Sequence, residues 1–144
     1  MKPLHILLVE DNEGDIILTT EAFEEYKISN SVTVIRNGKL ALEFLFKKGD
    51  FTNAERPDLV VLDINLPYKN GIEVLGQIKA DADLKSIPVI MLTTSSSDND
   101  ILKSYKNHAN AFITKPVDVV DFLKAIMSIE DFWLNIVQLP KKTV

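Results

Sequence analysis

The stretch Leu59-Val60-Val61-Leu62-Asp63-Ile64-Asn65-Leu66-Pro67 decides how the rest of the chain is interpreted. Four apolar residues run directly into Asp63, and such a run is typical of a strand buried on both faces of a parallel sheet. The chain then breaks at Pro67 and Gly71. In open α/β sheets, ligands bind at the carboxyl ends of the strands. The sequence therefore predicts one carboxylate at the edge of the sheet where ligands bind.

Composition restricts the classes of protein to which the chain can belong. Its 144 residues, 46% hydrophobic and 26% charged, suit one globular domain over residues 1–144. A formal net charge of −5 disfavours a nucleic-acid-binding face, and the lack of cysteine excludes disulfides and thiolate metal sites. The first residues do not have the pattern of a signal peptide, so we expect none, and no apolar stretch approaches the roughly 18 residues that a membrane span needs. We therefore expect a cytoplasmic protein with no nucleic-acid or membrane partner.

Five apolar segments alternate with five helical patterns along the chain. This alternation indicates βαβ units, right-handed crossovers and a parallel sheet with helices on both faces, which is the doubly wound α/β class. The last helix is predicted to extend well beyond the sheet, so residues 129–144 form an extended helix and tail. The predicted strands cover residues 4–9, 32–35, 58–63, 87–92 and 110–114, and the predicted helices cover about 12–26, 38–46, 71–78, 98–106 and 118–139.

Polar side chains of several kinds follow the predicted strands. Glu10 and Asp11 come after the first strand, Asp63 ends the third, Thr93 ends the fourth and Lys115 follows the fifth. If the first and third strands are neighbours, the three acids share one pocket. Like charges at about 4 Å repel by about 4 kcal/mol at an effective dielectric of about 20, so such a cluster favours a bound cation. Hard oxygen ligands without histidine or cysteine suit Mg²⁺.

An ion, a lysine and a hydroxyl around one carboxylate is an arrangement suited to phosphoryl transfer, in which an aspartate oxygen attacks in line. Each group alone also has an ordinary structural explanation. An acid at a strand end is usually solvated, Lys115 could form a surface salt bridge, and Glu10 and Asp11 could complement a helix dipole. The joint placement of all these groups at successive strand ends is far less probable by chance.

At these residues the chain resembles the receiver domain of bacterial response regulators, the CheY-like family, over about residues 4–128. The resemblance implies a flavodoxin-like sheet of strand order 2-1-3-4-5, in which the first and third strands are neighbours. Four separate segments carry it in the right order: Ile6 to Asn12, Leu62 to Pro67 with Gly71, Pro88 to Thr93, and Phe112 to Pro116.

The resemblance implies a phosphoacceptor and a metal site. Asp63 is similar to the aspartate that receives the phosphoryl group in the family. Asp11 is similar to a Mg²⁺ ligand, and Glu10 would help through water. Asp63 itself and the backbone carbonyl of Asn65 would complete the protein's share of the metal ligands.

The resemblance also implies a switch. Thr93 is similar to the hydroxyl that moves to the phosphoryl group, and Lys115 to the lysine that pairs with it. Phe112 is similar to the aromatic residue that turns inward on activation. Pro116 is expected to follow a cis peptide bond, as in the family.

The implied function is a signalling switch rather than a turnover enzyme. A sensor histidine kinase would donate a phosphoryl group to Asp63, and the protein would catalyse its own phosphorylation and slow dephosphorylation. Two residues depart from the family pattern. Glu10 replaces the commoner aspartate, and Thr94 stands where a smaller residue is usual. Because Thr94 would narrow access to Asp63, we expect a long-lived phosphoryl state.

A narrower likeness implies the kinase class. Asn65-Leu66-Pro67, the run from Thr93 to Ser97 and the tail from Glu130 to Leu134 resemble single-domain regulators that work with bacterial phytochromes and related sensor kinases. Little chain follows residue 117, so we expect the output to be a protein contact or a phosphoryl relay rather than DNA binding.

The tail has two interpretations. An apolar patch of Phe132, Trp133 and Ile136 either folds back on the domain or associates with a second copy. In the second case the surface would include the predicted helix over 98–106 and the fifth strand, and the dimer would be symmetric.

Three other functions are weighed against the switch. A haloacid-dehalogenase-like phosphatase would need a second aspartate two residues after the nucleophile, where this chain has Asn65. A degenerate, binding-only receiver would be expected to lack Asp63 or Lys115, and both are present. A flavodoxin-type flavin module would need a phosphate-cradling loop after the first strand, where Glu10 and Asp11 would repel the phosphate.

Overall fold

Five parallel strands form one sheet in the order β2-β1-β3-β4-β5. The structure is a computed structural model that describes residues 4–25, 30–94, 103, 106 and 109–128. The strand order confirms the doubly wound, flavodoxin-like prediction. The strands are β1 (Leu4–Val9), β2 (Asn30–Ile35), β3 (Leu59–Asp63), β4 (Val89–Thr93) and β5 (Ala111–Thr114).

Four helices are described: α1 (Glu13–Glu25), α2 (Gly38–Leu45), α3 (Gly71–Ala80) and α4 (Val119–Met127), together with a short 3-10 helix at Gly49–Phe51. The predicted helix over 98–106 lies largely outside the described residues. Its two described residues, Lys103 and Lys106, are helical. The predicted extension over 129–144, with Phe132, Trp133 and Ile136, also lies outside them.

Side chains that cap the helix starts match the sequence pattern. The side chains of Asn37, Asn70 and Asp118 each accept a hydrogen bond from a backbone N–H in the first turn of α2, α3 and α4. Such caps pair with donors that a helix start leaves unpaired, and each typically stabilises the protein by about 1 kcal/mol. The caps therefore fix where these helices begin after the strand-end loops.

Helices cover both faces of the sheet, and alternate residues of each strand face opposite layers. On one face α1 and α4 pack together, with the rings of Phe23 and Phe122 4.5 Å apart. On the other face α2 and α3 cover a second buried cluster. The β1 residues Ile6 and Leu8 belong to the first cluster, and Leu7 and Val9 to the second.

Several element boundaries differ from the sequence prediction by one or two residues, and two of these differences have a clear physical reason. Strand β2 begins at Asn30 rather than Val32, because Asn30 already pairs with Leu4. Strand β4 begins after Pro88, which has no N–H to donate to a neighbouring strand. On α1, helical spacing groups Ile17 with Ile16 and Phe23, but Ile17 is 49% exposed, whereas Ile16, Thr19, Ala22 and Phe23 are buried.

The register brings the carboxyl ends of the strands to one edge, which we call the carboxyl edge. Val9 pairs with Leu62, Asp63 with Leu92, and Thr93 with Thr114. The residues that follow these positions therefore meet there. Within the described residues, no helix combines the length and apolar character needed to cross a membrane.

Candidate functional site

The ammonium group of Lys115 is the centre of a charged cluster at the carboxyl edge. Its Nζ lies 2.6 Å from Oε2 of Glu10, 3.1 Å from Oδ2 of Asp15 and 3.2 Å from Oδ2 of Asp63. The lysine side chain is only 7% exposed. Its backbone N–H donates to the carbonyl of Thr93 at 2.8 Å, which ties the end of β5 to the end of β4. Residues from β1, α1, β3 and β5 thus converge on one buried cation.

Asp63 is buried, with 2% of its surface exposed, although it ends a strand at the rim. Its Oδ1 accepts a hydrogen bond from the backbone N–H of Asn65 at 3.3 Å, and its Oδ2 faces Lys115. Burial, and after it the charge of Glu10, raise the pKa of Asp63 to about 6 against the opposing effects of Lys115 and the Asn65 N–H. Asp63 is therefore a carboxylate whose charge is poorly stabilised by its own surroundings.

Gly71 allows the first turn of α3 to approach the end of β3. A Cβ atom at this position would lie 2.1 Å from the backbone oxygen of Asp63, which is impossible without moving the strand. The N–H of Gly71 donates to the carbonyl of Ile64 at 2.8 Å, and this hydrogen bond stabilises the close approach of α3 to the end of β3. In the sequence this glycine indicated a break in the chain and belonged to one of the segments that carry the resemblance. The structure shows that it also sets the position of Asp63.

Glu10 is completely buried directly after β1. Its backbone N–H continues the pairing with β2 by donating to Ile35 O at 3.0 Å, and its Oε1 accepts from the N–H of Asn12 at 3.1 Å. Its Oε2 contacts Lys115 as an ion pair, but among the described residues it has no hydrogen bond of good geometry. A buried carboxylate oxygen in this condition is suited to a further cation or to a metal-bound water.

Three carboxylates at the edge could hold a metal ion. Glu10, Asp11 and Asp63 each offer one oxygen, and these atoms lie within 4.8 Å of one another. Glu10 and Asp63 are buried, whereas Asp11 is exposed, so an ion among them would keep contact with solvent. All three donors are hard oxygens, and Mg²⁺ typically binds one or two carboxylates and retains several waters. The residues present therefore fit the Mg²⁺ ion predicted from the sequence.

The switch candidates lie beside this cluster. Thr93 is 2% exposed at the end of β4, next to the strand that carries Asp63. Phe112 is half-buried on β5, opposite Met91, and packs against the core beneath α2 and α3. The bond between Lys115 and Pro116 is cis, as predicted. Thr94 is exposed immediately after Thr93.

Among the described residues, Asp15 joins the candidate site although the sequence prediction did not include it. Its side chain contacts Lys115, 100 residues away in the chain. Burial tends to lower the pKa of Lys115, but hydrogen bonds and charges from Glu10, Asp63 and Asp15 together raise it above its ordinary value. The lysine is therefore fully charged at neutral pH.

Fold and site together define a doubly wound α/β domain with a buried lysine and a metal-suited acid cluster at the carboxyl edge. Comparison with known proteins identifies the family. Residues 6–127 match the response regulator receiver domain. The chain is 44% identical to response regulator Rcp1 of Synechocystis sp. over 138 residues, which cover 96% of this chain and 94% of the relative.

Two solved structures are similar over nearly the whole fold. The Mn²⁺-bound form of response regulator Rcp1 is 43% identical with a TM-score of 0.77, over 92% of this chain and 95% of that one. The phosphorylated cyanobacterial phytochrome response regulator RcpA is 44% identical with a TM-score of 0.79, over the same shares, 92% and 95%. The chain therefore belongs to the response regulator receiver domain family, and it is homologous to phytochrome-associated regulators.

Proposed function

We propose that this receiver domain is a phosphoacceptor switch in which Asp63 receives a phosphoryl group from a sensor histidine kinase. The observation that carries the proposal is the approach of the Lys115 ammonium to within 3.2 Å of a buried aspartate at the carboxyl edge. A structural ion pair would not need two more acids beside it. Here Glu10 and Asp11 bring excess negative charge to the same place, as a metal-assisted phosphoryl site requires.

In the proposed reaction an ionised oxygen of Asp63 attacks the phosphorus of the donor. The new bond joins that oxygen to phosphorus, the bond from phosphorus to the kinase's histidine nitrogen breaks, and its electron pair returns to the imidazole. Asp63 must be deprotonated to attack, and a pKa of about 6 leaves it largely ionised at pH 7.5. Lys115 holds its charge beside the oxygen and pairs with the incoming phosphoryl group.

Glu10, Asp11, Asp63 and the backbone carbonyl of Asn65 are the proposed Mg²⁺ ligands, with Glu10 acting through water. When bound, the ion would neutralise the acids and the charge of the transferring phosphoryl group. The all-oxygen donor set and the burial of Glu10 beside Asp63 support this assignment. The Mn²⁺-bound form of Rcp1 gives further support from a relative.

Phosphorylation would act as a switch by adding about −1.5 to −2 charges at the carboxyl edge. In our proposal Thr93 moves its hydroxyl toward the phosphoryl group, and Phe112 changes its packing on β5. Both side chains lie on strands next to the site, so a local change in charge can alter the outer surface. The protein would catalyse its own phosphorylation and slow dephosphorylation without being a turnover enzyme.

An exposed apolar surface beside the site supports a protein donor. Ile17 and Leu18 on α1 are 49% and 45% exposed, and Val120 at the start of α4 is 54% exposed. These residues follow Asp15 and Lys115 closely in the chain, so a partner that covered them would reach the carboxyl edge. We propose a cytoplasmic sensor histidine kinase of the phytochrome class as that partner, because the similar proteins are phytochrome response regulators.

We also propose a homodimer formed by the predicted helix over 98–106, strand β5 and the C-terminal helix with Phe132, Trp133 and Ile136. Among the described strands, β5 lies at an edge of the sheet and pairs only with β4. Sedimentation of Trp133→Ala should show a weaker dimer than wild type. A variant that stays equally dimeric would exclude this patch from the interface.

Intact-protein mass after incubation with acetyl phosphate tests the phosphoacceptor proposal. We expect wild type to gain one phosphoryl group with Mg²⁺ present and none with a chelator. Asp63→Asn should gain none, whereas Asp50→Asn, which alters an exposed acid of the 3-10 helix, should behave as wild type. A gain that survives in Asp63→Asn would disprove the assignment. No gain by wild type from acetyl phosphate or from a phosphorylated kinase would disprove the function.

A further inference from the structure

Lys115 has one carboxylate partner, Asp15, that does not belong to the proposed metal or phosphoryl chemistry. The other two partners, Glu10 and Asp63, are members of the three-acid cluster. Asp15 instead lies in the first turn of α1, and its Oδ2 accepts a hydrogen bond from Nζ of Lys115 at 3.1 Å. Its side chain is 27% exposed, so it closes the outer side of the buried ammonium group.

The start of α1 explains why Asp15 stands where it does. Oδ1 of Asn12 accepts a hydrogen bond from the N–H of Asp15 at 2.9 Å, which is the bond of a helix cap. An acid at this position is ordinarily explained by the helix dipole. Glu13, two residues earlier in the same turn, has an ordinary surface role, because it forms an exposed ion pair with Arg36. Asp15 is different, because its partner is the buried lysine of the site.

The three N–H donors of a lysine can each serve one acceptor, and in this structure three carboxylates surround the ammonium. Acceptance of a phosphoryl group would change the charge and shape of Asp63, and the proposed cation would compete for Glu10. Asp15 alone would keep its contact with Lys115 throughout. It would therefore prevent the flexible lysine stem from turning away from the reacting oxygen.

We propose that Asp15 is a positioning residue for phosphoryl transfer, which holds the Lys115 ammonium beside Asp63 while the other acids are engaged. This inference rests on the proposed function of Asp63. Asp15 does not touch the reacting atoms, so its effect passes entirely through Lys115. An anchor of this kind predicts that loss of Asp15 slows phosphorylation, whereas a mere competitor for the lysine would speed it when removed.

The test measures the rate of phosphorylation by acetyl phosphate at saturating Mg²⁺. We expect Asp15→Ala to be slower than wild type by roughly tenfold, which is the size of one charge-assisted contact, and Asp15→Asn to fall between them because it keeps an acceptor oxygen. Glu13→Gln is the matched control, since it removes an acid from the same helical turn without touching Lys115. It should react at the wild-type rate.

A double-mutant cycle separates positioning from a general structural effect. In a Lys115→Ala background, Asp15→Ala should have no further effect on the rate, because the residue through which it acts is gone. An unchanged or faster single variant, or an equal loss in both backgrounds, would overturn the positioning role. A wild-type protein that accepts no phosphoryl group would instead overturn the proposed function, so the two failures are distinguishable.

Discussion

The two edges of the sheet both bury charged or polar side chains, but they satisfy them differently. At the amino-terminal edge, Nε2 of the His5 ring lies 3.0 Å from Oγ1 of Thr33, and the backbone N–H of His5 donates to Oδ2 of Asp58 at 2.8 Å. The ammonium of Lys79 donates to the carbonyl of Ile87 at 2.7 Å and to two further acceptors, the carbonyl of Lys85 and the side chain of Asn110. These groups join strands and loops and need no additional ligand.

The carboxyl edge instead carries an excess of negative charge. Lys115 is surrounded by Glu10, Asp15 and Asp63, and Asp11 adds a fourth acid at the rim. One cation cannot neutralise four carboxylates, and burial together with the nearby charge of Glu10 raises the pKa of Asp63. The comparison teaches that burial of charge alone does not identify a functional site. What distinguishes the carboxyl edge is charge left uncompensated by the protein's own groups.

Loss of the Lys115 ammonium should have the largest effect on stability. Lys115→Met would leave Glu10, Asp15 and Asp63 facing one another, so we expect the metal-free protein to lose about 3 kcal/mol of unfolding free energy. Urea denaturation with and without Mg²⁺ measures this loss and its partial recovery by the ion. Arg36→Met removes only an exposed ion pair and should cost at most about 1 kcal/mol. Equal losses in the two variants would contradict the view that the buried Lys115 cluster depends more on its cation than the exposed Arg36 ion pair does.

In contrast to Lys115→Met, Asp63→Asn should raise the free energy of unfolding at neutral pH. The folded pKa of about 6 lies above the ordinary 3.8, so the protonated carboxyl stabilises the fold below about pH 4. That stability is lost as pH rises through about 6. Because asparagine cannot ionise, the metal-free variant should be more stable than wild type by on the order of 2 kcal/mol at pH 7.5. Thermal unfolding across pH 4–8 should show this advantage shrinking as pH falls. A constant difference would contradict the assigned repulsion.

Lys79→Met examines the amino-terminal edge. It removes three donated hydrogen bonds that connect α3 with the starts of β4 and β5. We expect a loss of about 1–2 kcal/mol in unfolding free energy, because the acceptors would lose a partner in a half-buried place. The rate of phosphorylation by acetyl phosphate should stay at the wild-type value once folded protein is assayed. A slowed reaction in a stable variant would show that the two edges are coupled.

The smallest effect concerns the lifetime of the phosphoryl group. Thr94 follows the buried Thr93 and is exposed at the rim, where we expect it to restrict the approach of water. Thr94→Ala should lose its phosphoryl group about threefold faster than wild type, a barrier change under about 1 kcal/mol. Intact mass followed over time measures the decay, with the exposed Thr52→Ala as a control. Decay no faster than wild type would mean that Thr94 does not shield the site.

Much of the site could be predicted because strand ends are visible in a sequence. Apolar runs that stop at Glu10, Asp63 and Thr93 identify the ends, and a parallel sheet brings such ends to one edge. The strand order itself required the family resemblance, since alternation alone allows other orders. The cis bond before Pro116 came from the same resemblance.

The features that were missed depend on tertiary geometry. Asp15 reads as an ordinary acid in a first helical turn, and only the packing of α1 against the end of β5 shows that it reaches Lys115. In the sequence Gly71 indicates a turn. The structure shows that a side chain at this position would collide with the backbone carbonyl of Asp63. On α1, helical spacing alone could not decide which of Ile16, Ile17 and Leu18 is buried, because the three residues are consecutive.

Direct titration of Mg²⁺ measures whether the excess acid at the carboxyl edge serves a cation. Isothermal calorimetry at pH 7.5 should show one Mg²⁺ bound per wild-type chain. Binding should weaken about tenfold or more in Asp11→Asn, because one carboxylate is lost from the set, and should be unchanged in Asp50→Asn. Wild-type protein that binds no Mg²⁺, or an Asp11→Asn variant that binds it as tightly, would contradict a metal-assisted switch at Asp63.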